Sequence, residues 1–199
     1  MNSLLWNLKR LHRFGGRQSR GRFWPYAAAV VALAFAAIGV GMSVAIAGVF
    51  EAAERIATTH PDQVTVTRGP ASYSVSVSGN HPELMPDFGV AFGTMGVVVA
   101  VLAVLLAAAV TRRLHDSGRA GWWGLAPLVF ISAGVFGMSR LMAMMMSAEE
   151  PSDAEILPLF GIIFINNMLY LASLGLLVVF LALPGTTGAN RHGDLADQD

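Results

Sequence analysis

Val97-Val98-Val99-Ala100-Val101-Leu102-Ala103-Val104-Leu105-Leu106-Ala107-Ala108-Ala109-Val110 runs straight into Thr111-Arg112-Arg113-Leu114-His115-Asp116. The apolar run begins at Phe88, so Phe88–Val110 exceeds the roughly 20 residues that a helix needs to cross a bilayer core. Three more stretches have that length and character: Tyr26–Phe50, Trp122–Met146 and Ile156–Leu183. None contains Asp, Glu or Lys, and Arg140 is the sole charge inside them. Charged residues make up only 13% of the 199-residue chain, against about 25% in soluble domains. The reading is an all-α membrane protein, one domain over 1–199, with four transmembrane helices.

Basic residues in short flanks set the direction of the spans. The N-terminal flank holds Lys9, Arg10, Arg13, Arg17, Arg20 and Arg22 with no acid, and the second link holds Arg112, Arg113 and Arg119 against Asp116. The third link is acidic (Glu149, Glu150, Asp153, Glu155), and so is most of the long first link. Both termini and the second link are therefore expected on the cytoplasmic side of the membrane. The first apolar run is longer than the 7–15 residues of a signal core, so it reads as an uncleaved anchor. Cysteine is absent, which excludes disulfides and thiolate metal sites.

Outside the spans, Leu4, Leu8 and Leu11 recur at helical spacing, with Asn7, Arg10 and Arg13 on the other side. This predicts an interfacial amphipathic helix on the inner leaflet. In the first link, 51–87, Val64–Thr67 and Ser72–Ser78 alternate around a Gly-Pro break, the signature of a small periplasmic β-hairpin.

Within the spans, Ala28, Ala32 and Ala36, and Ala37, Gly41 and Ala45, form two small-residue stripes suited to close helix approach. Gly93 and Gly96, with Gly134 and Gly137, could serve likewise. Asn166 and Asn167 lie mid-span and need partners, since an unpaired amide in hydrocarbon costs several kcal/mol. Ser132, Ser139 or a backbone carbonyl could supply one, or the pair could line a polar path. Arg140, near the outer end, reads as an anchor that snorkels or meets Glu149, Glu150 or Asp153.

Three polar motifs fall at one end of the spans: Gly15 to Trp24, Thr111 to Trp123 and Pro184 to Gly193. They would build a basic cap with Arg17, Arg20, Arg22, Arg112, Arg113, Arg119 and Arg191 around it. Arginine suits bidentate phosphate contact, so anionic phospholipid headgroups or an acidic partner are the expected ligands. Gly118 and Gly121 shape the second turn, Trp122 and Trp123 fix its depth, and Asn190 lies in the third. His115 and Asp116 are neighbours and so do not share a helix face; a structural turn is favoured over a catalytic pair. No catalytic residue, cofactor, metal or nucleic-acid contact is expected, whereas a homo-oligomer or a membrane partner protein is open.

These motifs also carry a resemblance. Gly-Arg-x-Ser-Arg-x-x-Phe-Trp (Gly16 to Trp24), Arg-Arg-Leu-His-Asp-Ser-Gly-Arg-x-Gly-Trp-Trp (Arg112 to Trp123) and Pro-Gly-Thr-x-Gly-x-Asn-Arg-x-Gly (Pro184 to Gly193) resemble the bacterial inner-membrane family catalogued as domain of unknown function 805. The resemblance spans about Phe14 to Gly193. It implies a small polytopic inner-membrane protein with the hairpin as an insertion, and it implies no activity. The expected function is a non-enzymatic structural or interaction protein. The alternative is a small transporter or channel with a path through Asn166, Asn167 and Arg140.

Overall fold

The computed structural model describes residues 2–68, 73–79, 81–147 and 152–194. The elements run α1 (Ser3–Leu8), α2 (Arg20–Thr59), β1 (Val64–Arg68), β2 (Tyr73–Val77), α3 (Phe88–Asp116), α4 (Leu125–Met145) and α5 (Asp153–Ala182). Four helices are long and apolar enough to cross a membrane, the third including a short 3-10 turn at Gly121–Gly124. Large side chains such as Leu33, Phe35, Phe136 and Leu157 face outward, as an apolar solvent allows. The interior is built on Phe23, Tyr26, Ala27, Val30, Ala109, Leu114, Leu177 and Leu181.

Helix boundaries depart from the expected spans where no breaker intervenes. α2 continues past Phe50 to Thr59, so the first part of the 51–87 link is helix, ended by His60 before Pro61. A residue preceding proline is driven out of the α region. α3 likewise carries Arg112–Asp116 in its last turns. α5 begins at Asp153, where the Glu155 carboxylate accepts the Ser152 backbone N–H at 3.0 Å and its hydroxyl at 2.8 Å.

α1 is only two turns long, and its polar face differs from the expected one. Asn7 is fully buried while Leu5 and Leu8 are exposed. In α2 the Ala28, Ala32 and Ala36 stripe faces out; the packed line is Ala27, Val30, Ala34, Gly41 and Ala45. Gly41 is required there, because a Cβ would collide with the Thr94 side chain of α3. At Gly134 and Gly137 the demand is milder, since a Cβ would lie 3.1 and 3.0 Å from the Asn166 and Ile163 side chains of α5, whereas Gly93 and Gly96 have open space around them. The hairpin forms with Val64 opposite Val77 and Arg68 opposite Tyr73. Its connecting residues 69–72, and the expected packing of its Val and Tyr side chains, lie outside what is described. Its feet are tied by Ser78 N–H donating to the Gln63 carbonyl at 2.8 Å and by His81 Nε2 at 2.8 Å from Gln63 Oε1.

Candidate functional site: an arginine-tied cap

α2 starts, α3 ends, α4 starts and α5 ends at one end of the bundle, and the three motifs meet there. The centre is Asp116, in the last turn of α3. Its Oδ1 accepts Arg17 Nε at 3.0 Å and pairs with Arg17 Nη2 at 3.0 Å, and its Oδ2 accepts Arg113 Nη1. Its backbone carbonyl accepts the Thr186 N–H at 2.9 Å. One residue thus joins the segment before α2, the end of α3 and the segment after α5. Arg17, Arg113 and Asp116 side chains are all under a tenth exposed.

The surplus positive charge is met by backbone. Arg17 Nη1 donates to the Gly188 carbonyl at 2.6 Å and Nη2 to the Thr186 carbonyl at 2.7 Å. Arg113 Nε donates to the Leu181 carbonyl at 2.9 Å, and its Nη2 reaches the Leu183 carbonyl. The last carbonyls of a helix have no partner within it and carry its negative dipole end. Arg113 therefore caps α5 from the neighbouring helix.

Arg112 makes a second knot with α1. Its Nε donates to Gln18 Oε1 at 3.1 Å, Nη1 to the Arg10 carbonyl at 2.9 Å and also to that of Arg13, and Nη2 to Asn7 Oδ1 at 2.9 Å. Asn7 Nδ2 in turn donates to the Ser3 carbonyl at 2.9 Å. Arg10, Arg22 and Arg112 guanidinium carbons lie 4.2, 5.2 and 5.3 Å from the Trp6 ring centre, within cation–π range. Asn7 and Trp6 are cap positions that the sequence reading does not single out. An asparagine on a short helix signals nothing until its partner arginine is placed.

The remaining cap residues hold the third motif. Asn190 Nδ2 donates to the His115 carbonyl at 3.0 Å and to Thr186 Oγ1 at 2.9 Å. Arg191 Nη2 donates to the Gly118 carbonyl at 3.2 Å, and Gly118 takes φ +73°, a conformation that favours glycine. The His115 and His192 rings stack with centroids 3.8 Å apart and planes within 4°. Burial, then His115 and Arg191, hold the His192 imidazole below its ordinary pKa. Parallel rings do not converge their nitrogens on a common ion. Among the described residues no group of three or more His, Asp and Glu side chains gathers as a metal site. His115 also lines an apolar groove of about 500 Å³ with Phe14, Trp122 and Tyr170. Asp116 is turned away into its two arginines, so the two neighbours do not act as one acid–base pair.

The outer cations are differently placed. Arg20 is exposed and donates to the Ala182 carbonyl at 3.4 Å; Arg119 lies 4.4 Å over the Phe180 ring. Lys9, Arg13 and Arg191 are exposed, as are Leu5, Leu8, Phe14, Trp24 and Trp122. Trp123 stacks on Trp122 at 4.4 Å and meets Phe180 edge-on at 5.4 Å.

The three intramembrane polar residues do not meet. Asn166 Nδ2 donates to the Phe130 carbonyl of α4 at 2.9 Å. Asn167 is exposed on the outside of α5, and Arg140 is exposed on α4 with no ion pair among the described residues.

No curated protein and no solved structure matches this chain. A family model described as a protein of unknown function (DUF805) matches residues 11–194, from just before the first cap motif to just after the last. The chain belongs to the DUF805 family.

Proposed function

We propose that the protein is a non-enzymatic structural component of a bacterial inner membrane, both termini cytoplasmic, whose cap rests on anionic phospholipid headgroups. The supporting observation is the division of labour among the cap cations. Arg17, Arg112 and Arg113 turn inward onto carbonyls and Asp116. Lys9, Arg13 and Arg20 stay exposed beside exposed Leu5, Leu8 and Phe14. Apolar side chains interleaved with cations suit the headgroup boundary. The inner set makes the cap rigid, and the outer set gives it a ligand. A polar path for a solute is not supported, because Asn166, Asn167 and Arg140 point in different directions.

The test is native mass spectrometry of protein reconstituted in zwitterionic bilayers with and without anionic lipid. Anionic lipid is expected to be retained preferentially. Replacing Lys9, Arg13 and Arg20 together by Gln should weaken retention about 100-fold, at about 1 kcal/mol per cation, with the fold intact. Equal retention of neutral and anionic lipid would refute the reading.

A further inference from the structure

α5 is an outer helix, and its apolar residues are exposed nearly all the way round: Phe160, Ile162, Phe164, Ile165, Leu169, Leu171 and Leu176 all face away from the bundle. Apolar exposure of this kind matches lipid and selects no direction. Asn167 breaks the ring. It stands near the middle of Asp153–Ala182, about 20 Å of helix rise from either end. Its side chain is exposed and makes no hydrogen bond among the described residues. Asn166, one position earlier, differs: it reaches inward to the Phe130 carbonyl. The two amides of one dipeptide therefore have different fates, one satisfied inside the subunit and one presented outside it.

A short amide at that depth cannot reach headgroups or water. Its nearby backbone carbonyls already serve the helix. A lipid tail offers neither donor nor acceptor, so a lipid neighbour leaves the amide unpaired in hydrocarbon, which costs several kcal/mol. Another protein helix removes that cost, and an amide is its own complement because it both donates and accepts. Independently of the headgroup proposal, we infer that the protein pairs with a second copy of itself through α5, across a two-fold axis at Asn167. Phe160, Phe164 and Leu171 lie at spacings of seven, three and four residues from Asn167, on the same face of the helix. They form the apolar seam above and below the amide pair. Such a seam is isologous: each residue meets its own copy or a near neighbour.

The chain contains no cysteine, so single cysteines can be introduced without altering a background. Cysteines at Phe160, Phe164 and Leu171, with Asn167 intact, are expected to form disulfide-linked dimers in native membranes under mild oxidation. Cysteines at Ile162, Ile165, Leu169 and Leu176 are equally exposed but face the other way, and should not cross-link. Asn167→Leu should weaken the dimer about 10-fold, abolishing the cross-links at low expression, while Asn167→Gln should retain them. Cross-linking spread evenly round α5, confined to the Ile165 face, or absent would overturn the inference. So would an Asn167→Leu protein that dimerises as the wild type does. If Asn167→Leu fails to accumulate, the cysteine series still decides, because every member keeps the native amide.

Discussion

Replacing Asp116 by Ala should unfasten the cap. Among the described residues, the carboxylate is the only acidic group on Arg17 and Arg113, whose side chains are 2% and 0% exposed. Its removal leaves two guanidinium charges with carbonyl partners alone. Breaking a buried ion pair by deleting one member costs 3–5 kcal/mol in general. The cap stands at the edge of the bilayer, where water can approach once the knot loosens, so the lower figure of about 3 kcal/mol applies. For a chain of this length 1 kcal/mol shifts the melting temperature by about 2–4 °C, which gives a fall of about 6–12 °C. Asp116→Asn should fall less. Its oxygen can still accept from Arg17, but its NH2 then faces the Arg113 Nη1 donor. The assay is thermal unfolding in a mild detergent, followed by intrinsic tryptophan fluorescence, since Trp122 and Trp123 adjoin the cap. The double variant Arg17→Ala/Asp116→Ala should lose less than the sum of the single losses, because each single change already severs the same pair. An Asp116→Ala protein that melts within about 2 °C of wild type would refute the claim that this carboxylate holds the three segments together.

Three other perturbations probe different parts of the cap. Gly185→Ala should destabilise nearly as much as Asp116→Ala, because the new Cβ would strike the Asp116 carboxylate, which Arg17 and Arg113 hold in place; a neutral effect on melting would show that the carboxylate can move aside. Arg112→Lys keeps the charge but cannot serve Gln18, Asn7 and two carbonyls at once. Limited proteolysis should then release residues 2–13 faster than in wild type, and an unchanged rate would contradict the second knot. The last concerns pH. His192 is held below its ordinary pKa by burial first, with His115 and Arg191 adding to it. The unfolded chain therefore takes up this proton at higher pH than the folded one. Stability is full above about pH 6.5 and declines as pH falls through the window below it. Melting temperatures at pH 8 and pH 5 should differ less in His192→Asn than in wild type; equal differences would remove His192 from the account.

Composition made the membrane class and the four spans legible, because a long apolar run without Asp, Glu or Lys has few other uses. The meeting of the three motifs was legible too: an even alternation of spans returns every second link to the same end. Their inner arrangement was not. Arg17, Arg112 and Arg113 are satisfied mainly by backbone carbonyls, and a carbonyl belongs to every residue, so no side-chain pattern marks which ones are waiting. The expected ring of lipid-facing arginines is therefore divided, with these three turned inward. Asn7 packs inward although it shares a helix face with Arg10, because helical spacing over two turns does not specify which side packs. The extension of α2 to Thr59 could have been read, since Glu51, Glu54 and Arg55 are compatible with helix and the first breaker is Pro61. Asn166 and Asn167 look alike in the sequence, but adjacent residues point about 100° apart on a helix, and the packing of α5 on α4 decides that Asn166 is the one that meets α4.

The whole account rests on the two ends of the chain lying on one side of the membrane, with the hairpin on the other. Compartment-specific reporters fused at the N-terminus, at the C-terminus and between β1 and β2 measure this directly. The terminal fusions should both report the cytoplasm and the hairpin fusion the periplasm. Terminal fusions that report opposite compartments would contradict the arrangement, since Arg17, Asp116 and Thr186 could not then share one cap.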